Sequence, residues 1–208
     1  MKIPPQWRPL GWLSGALIGA ACLFLEAAPV LPRARHAQTE ISFRNPILFA
    51  VYSDPDVIRD GANYYLIAST FHFVPGIPIL QSVDLVHWTI LSHMVQRLEM
   101  DPRYSMTGGN RYGMGIWAPS IRKHNGLFYV YFPTPTEGIF VSTASRITGP
   151  WTIPIAVIAQ AGLEDPCPFW DDDGKAYLIH SKLGAGPLIL HRMSADGPGD
   201  VREVCQRP

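Results

Sequence analysis

At 208 residues the chain is long enough for one domain with a substantial core. Lys plus Arg and Asp plus Glu are both 17, so the formal charge is zero, which argues against nucleic acid or an anionic membrane surface as the main partner. Frequent proline, glycine, aromatic and β-branched residues suit short strands joined by tight turns rather than a helical bundle.

Residues 1–28 read as a signal peptide or N-terminal anchor. Lys2 and Arg8 precede an apolar run from Leu10 to Leu25, and Glu26-Ala27-Ala28-Pro29 follows. Gly19 stands where a lipoprotein motif ending in Cys22 would carry a larger apolar residue, so lipidation is not expected. Residues 29–40 read as a linker, and 41–208 as a β-rich domain. A secreted or periplasmic location follows, with no membrane partner beyond the N-terminal segment. Export permits a disulfide, but Cys167 and Cys205 are read as two free, buried thiols.

The domain opens with a plan that recurs. In residues 53–71 an acid-proline pair, Asp54-Pro55, leads a short apolar run, a polar turn and a second apolar run rich in tyrosine. Ala118-Pro119 begins the same plan and runs through Asn125-Gly126 to Phe132; Asp165-Pro166 begins it again and runs through Asp173-Gly174 to His180. Each copy predicts a β-hairpin, with Asn-Gly and Asp-Gly at the tight turns. A second hairpin trails each copy, over 77–90, 138–153 and 186–197, the third cut short. Four strands per unit, repeated, predict β-propeller blades: two full units and part of a third.

Matching positions of different blades converge on one axis. Asp54 and Asp165, far apart in sequence, are thereby brought together, and Trp117-Ala118 takes the acid's place in the second unit. Flat tryptophan beside acids suits sugar, the ring covering an apolar sugar face while the acids take hydroxyls. One Asp-Pro pair alone would be read as a turn initiator; two at matching positions point to function. Asp171-Asp172-Asp173-Gly174 reads as the hairpin turn, without the alternating ligands of a calcium loop. Asp56 and Asp60 read as strand-end and turn residues. His72, between Phe71 and Phe73, either reaches substrate or is packed, and Trp88 and Trp151 are read as packing between blades. Gly108-Gly109-Asn110 reads as a loop, and no phosphate loop, zinc motif or serine-hydrolase elbow occurs.

The ordered series Asn45-Pro46-Ile47-Leu48, Tyr52-Ser53-Asp54-Pro55-Asp56, Ser69-Thr70-Phe71, Ser82-Val83-Asp84-Leu85-Val86-His87-Trp88, Gly115-Ile116-Trp117-Ala118-Pro119 and Asp165-Pro166 resembles the opening of family 43 glycoside hydrolases. The resemblance runs from about Phe43 to Ala195. It implies an all-β, five-bladed propeller, here its first two to three blades, and an inverting hydrolase of xylo- or arabino-configured saccharides. By motif, Asp54 matches the general base and Asp165 the acid that tunes the proton donor's pKa; Phe71, His72 and Trp117 are the candidate substrate-binding residues. Glu137 is at no matching catalytic position. The family's general acid sits in a Glu-Gly-Pro-like segment after Asp165, and none occurs before Pro208. The chain alone is therefore expected to be inactive, save for slow hydrolysis of substrates with good leaving groups, the alternative being a non-catalytic sugar-binding propeller or an inactive fragment. No cofactor is expected; calcium, carried by some relatives, has no assignable ligands.

Overall fold

The computed structural model describes residues 42–207 except 185, 198 and 200. The leader and linker read over 1–40, Cys22 included, lie outside the described residues. Twelve strands form three antiparallel sheets of four, each in chain order. The first holds β1 (Asp56–Asp60), β2 (Asn63–Ile67), β3 (Gly76–Ser82) and β4 (Thr89–Val95). The second holds β5 (Ser120–His124), β6 (Leu127–Thr134), β7 (Gly138–Ala144) and β8 (Ile155–Ile158). The third holds β9 (Leu163–Trp170), β10 (Ala176–Lys182), β11 (Leu188–Met193) and β12 (Arg202–Arg207). The third unit is thus not cut short. Its fourth strand escaped the reading because Arg202-Glu203-Val204-Cys205-Gln206-Arg207 lacks an apolar alternation.

Turn chemistry sets the hairpins. Asn125 and Gly126 take φ 47° and 79°, so β5 and β6 are joined by a two-residue turn with both central residues left-handed, matched to strand twist. The β9–β10 connection is wider than the tight turn expected at Asp173-Gly174. Asp171 N–H donates to the Lys175 carbonyl (2.8 Å), and Asp173 is paired with Lys175.

Burial distinguishes the three sheets. In the second, β6 and β7 are buried on both faces, so their sequences run continuously apolar. One cluster, with Ile67, Ile77, Ile79, Ile121, Val130 and Phe132, fills the space between the first and second sheets. Another, with Tyr131, Val141, Leu163, Leu178 and Met193, fills that between the second and third. Trp151 packs on the former, as read from sequence. Trp88 joins Leu48 and Tyr52 in covering Leu66, Ala68 and Leu80 on the first sheet's other face. On the third sheet's far face Phe169 stacks on Tyr177 (5.0 Å), yet Phe169 and Leu188 stay exposed.

The first strands neighbour one another, β1 against β5 and β5 against β9. Asp56 and Asp60 do more there than end strands. Asp56 Oδ2 accepts from Ile121 N–H (2.8 Å) and Arg122 Nη1 (2.6 Å), and Lys123 Nζ reaches Asp60 Oδ2 (2.6 Å). Arg122 Nη2 donates to Cys167 Sγ (2.9 Å), and Ser120 Oγ to the Pro166 carbonyl (2.6 Å). Cys167 and Cys205 are free, on β9 and β12 at opposite edges of one sheet. Because each sheet is an up-and-down meander, the starts of β1, β5 and β9, the β2–β3 and β6–β7 turns and the β4–β5 connection all share one end of the molecule.

Candidate active site

At that end each first strand carries the same irregularity. On β9 the register passes from Cys167↔Ile179 to Glu164↔Ser181, so Asp165 and Pro166 together oppose His180 alone. On β1, Asp56↔Ile67 is followed by Ser69 N–H donating to Ser53 O (3.0 Å), so Asp54 and Pro55 oppose Ala68. On β5, Ser120↔Tyr131 is followed by Trp117 N–H donating to Pro133 O (3.1 Å), so Ala118 and Pro119 oppose Phe132. Each is a β-bulge, which breaks the ladder and turns a side chain out of the pleat. Proline, having no N–H, leaves no donor unpaired there.

The two acids share a backbone state. Asp54 has φ 49° and Asp165 φ 55°. Both precede proline, which favours extended backbone, so a left-handed conformation at both is held by its surroundings, at a cost of up to about 1–3 kcal/mol each. Asp is among the side chains that tolerate it best. Ser69 Oγ donates to Asp54 Oδ2 (2.6 Å). The Asp165 carboxyl is raised from its ordinary value, first by lost hydration, then by the charge of Glu164, then by that of Asp54. Its surface remains open to solvent, so the protein crowded around it shields it only partly. The two aspartates predicted to converge thus feel each other's field.

Phe71 and Trp117 also come together, ring centroids 6.0 Å apart and nearly perpendicular. A two-way link aligns their segments: Thr70 N–H donates to Ile116 O (2.9 Å) and Ile116 N–H to Thr70 O (3.2 Å), while Gly115 N–H donates to Phe71 O (3.0 Å). Trp117 Nε1–H is held by the Gly113 carbonyl (2.9 Å). His72 is exposed and stacks on Tyr112 (4.2 Å, 15°). Phe71 and His72 line a cavity of about 270 Å³ with Arg103, Tyr104, Arg111 and Tyr112, whereas Asp54, Asp165 and Trp117 lie outside its wall.

The β4–β5 connection that supplies this wall is internally braced, which no motif signalled. Asp101 Oδ2 accepts from Arg111 Nη2 (2.6 Å) and from Arg103, and these guanidiniums hold its carboxyl well below the usual range. Glu137 Oε2 accepts from Tyr104 Oη (2.8 Å) and Thr134 Oγ1 (2.7 Å), tying the connection to the β6–β7 turn. Burial, then Glu137, pushes the Tyr104 phenol up to about 12, so it stays a donor.

Gly115 gives this wall a sharp test. A Cβ there would lie 2.8 Å from the Thr70 carbonyl oxygen and 2.9 Å from that of Phe71, both backbone atoms. Gly115→Ala is expected to part Phe71 from Trp117, read as a change in tryptophan fluorescence, with a melting point lowered by a few degrees (about 1–2 kcal/mol).

Calcium, possible by the family resemblance, finds no ready ligand set among the described residues. It requires about six to eight oxygen ligands, but on the inner strands Asp56 is occupied by the Arg122 guanidinium, which also meets a sulfur. Among the described residues no group of three or more His, Cys, Asp or Glu could hold a metal ion.

Comparison with known proteins adds an independent line. Residues 43–206 match the profile of glycosyl hydrolases family 43. A putative β-xylosidase of Xylanibacter ruminicola is 50% identical over 160 residues, covering 77% of this chain and 29% of that protein. A β-xylosidase of Formosa agariphila is 40% identical over 149 residues, 71% of this chain and 25% of its own. Among solved structures, a family 43 protein of a Bacteroides ovatus xyloglucan locus superposes with a TM-score of 0.66 at 34% identity, over 80% of this chain and 33% of that one. The chain thus spans between a quarter and a third of the length of these relatives.

Proposed function

The chain belongs to glycosyl hydrolase family 43, and from that premise we propose that it carries the water-activating half of an inverting glycosidase for xylo- or arabino-configured saccharides. The observation behind this reading is the matched pair of bulges: two aspartates in one unusual backbone state, at equivalent places on the first and third inner strands, with the charge of Asp54 among the causes that raise the Asp165 pKa.

In the proposed reaction Asp54, oriented by Ser69 Oγ, takes a proton from a water poised at the anomeric carbon. The water's oxygen bonds to that carbon as the bond to the leaving oxygen breaks, inverting the centre. Such enzymes hold base and proton donor about 6.5–9.5 Å apart to admit the water. Asp165 supplies negative charge beside the donor, keeping it protonated near neutral pH. Phe71 and Trp117 flank the terminal sugar and His72 lines the cavity beside Phe71, so the partner is an oligo- or polysaccharide. No carboxylic acid of these 208 residues is assigned as proton donor. A leader over residues 1–28 would deliver the protein to the periplasm or medium, where cell-wall chains are met.

The aromatic pair of Phe71 and Trp117 also suits a second reading, sugar binding without turnover. Dinitrophenyl β-xyloside and α-L-arabinofuranoside separate the two, because their leaving group departs without a proton. The proposed function predicts slow hydrolysis of at least one by the 208-residue chain, with the inverted sugar as first product by proton NMR. Unactivated xylobiose should react about 10²–10⁴-fold more slowly still, the usual contribution of a general acid. Pentoside binding with no release of dinitrophenolate would leave the second reading standing.

A further inference from the structure

Asp54 and Asp165 are held differently. Ser69 Oγ bonds the Asp54 carboxylate, but the matching Ser181 Oγ turns to Glu164 Oε1 (3.4 Å). Among the described residues the Asp165 carboxylate accepts no hydrogen bond from the protein, so its direction is set by the backbone of the bulge. Opposite that bulge, where the first sheet has Ala68 and the second Phe132, stands His180, 2% exposed. Its Nδ1 lies 3.0 Å from the Ser181 carbonyl, and its Nε2 lies 2.9 Å from Nε2 of His191, itself 8% exposed.

The proton order follows from the partners. A carbonyl only accepts, so His180 Nδ1 carries the proton and its Nε2 a lone pair. His191 must then donate from Nε2, leaving a bare Nδ1, which is indeed the buried nitrogen without a partner. The chain runs one way: His191 N–H to His180, and His180 N–H to Ser181 O, the rung immediately beyond the bulge. Leu163, Leu178 and Met193 line the same space. The charged groups around the pair are Lys182 on β10, Glu164 on β9 and Glu203 on β12, paired with His191. Burial lowers the pKa of both imidazoles, that of His191 further through His180, so the pair stays neutral.

We propose that the His180–His191 pair is the positioning element for Asp165, fixing the ladder behind the bulge so that a carboxylate with no donor of its own keeps its direction. This rests on the role proposed for Asp165, but it concerns geometry rather than turnover. The test uses the 208-residue chain. Nitrogen-15 NMR of labelled histidine should show His180 protonated at Nδ1 and His191 at Nε2 at neutral pH. Carboxyl carbon-13 NMR, with Asp165→Asn for assignment, then follows the Asp165 titration midpoint. In His191→Leu the donor to His180 is gone, and the midpoint should fall by about half a pH unit or more as the carboxylate gains water. In His191→Gln, whose amide N–H can take the place of Nε2–H, it should stay within about a tenth of a unit of the parent. Should His191→Leu fail to fold, His180→Phe, with the residue found opposite the second bulge, should give the same fall. An unchanged midpoint in the folded variant, or the reverse tautomers in the parent, overturns the proposal. No release of dinitrophenolate from either glycoside by the parent chain would instead defeat the hydrolase reading while leaving the midpoint result intact.

Discussion

Asp54→Asn should lower dinitrophenyl glycoside hydrolysis by about 10²–10⁴-fold while changing pentoside affinity less than threefold. Asparagine is close to aspartate in shape, tolerates φ near the 49° seen here, and keeps an oxygen for the Ser69 hydroxyl 2.6 Å away. What it loses is the capacity to take a proton from water. The effect should therefore fall on kcat, with KM little moved. Asp54→Ala should lose turnover to the same extent and also destabilise the fold, because alanine suits a left-handed backbone poorly. Rates by absorbance and affinities by titration calorimetry check both; normal turnover in Asp54→Asn removes it as the base.

Asp165→Asn should separate stability from function in the opposite sense. The folded protein raises the Asp165 pKa above its unfolded value of 3.8, through lost hydration and the charges of Glu164 and Asp54. With a raised folded pKa, the unfolded chain binds fewer protons between the two values. The stability associated with Asp165 is thus fully present below pH 3.8 and is lost as pH rises through the folded pKa. At neutral pH the ionised carboxylate opposes folding, so asparagine, neutral and tolerant of φ 55°, should raise the melting temperature. That gain should be present at pH 7 and absent near pH 3. In an enzyme that carries a proton donor, the same change should cut turnover of unactivated substrates by at least about 10²-fold, by removing the charge that keeps the donor protonated. A melting temperature equal to the parent's at both pH values contradicts the electrostatic assignment.

The blade plan was legible because each unit announces itself twice, by an x-Pro pair and by a hairpin turn. Asn125-Gly126 behaved as its chemistry requires. Asp171-Asp172-Asp173-Gly174 forms the expected turn, with Gly174 at φ 78°, but Asp171 and Lys175 close a wider loop than a two-residue one. That Asp54 and Asp165 would stand at matching places followed from the repeat, but the bulge at each depends on strand register, which no local pattern shows. The stitching by Asp56, Arg122 and Cys167 stayed hidden for a related reason: it needs the face each strand turns to the next sheet. Trp88 and Trp151 look equivalent in sequence; the first packs with the 48–52 segment and the second between the first and second sheets. The bracing of the β4–β5 connection by Asp101 and Glu137 joins residues from a long stretch without periodicity, so nothing marked it in advance.

The most direct test is the Asp165 titration midpoint, followed by carboxyl carbon-13 NMR in the parent and in Asp54→Asn. If the repeat delivers both aspartates to one shared site, removing the charge of Asp54 must lower that midpoint, and more so at low than at high salt. A midpoint that stays where it was, at low ionic strength and in a folded variant, would mean the two carboxylates do not share a site.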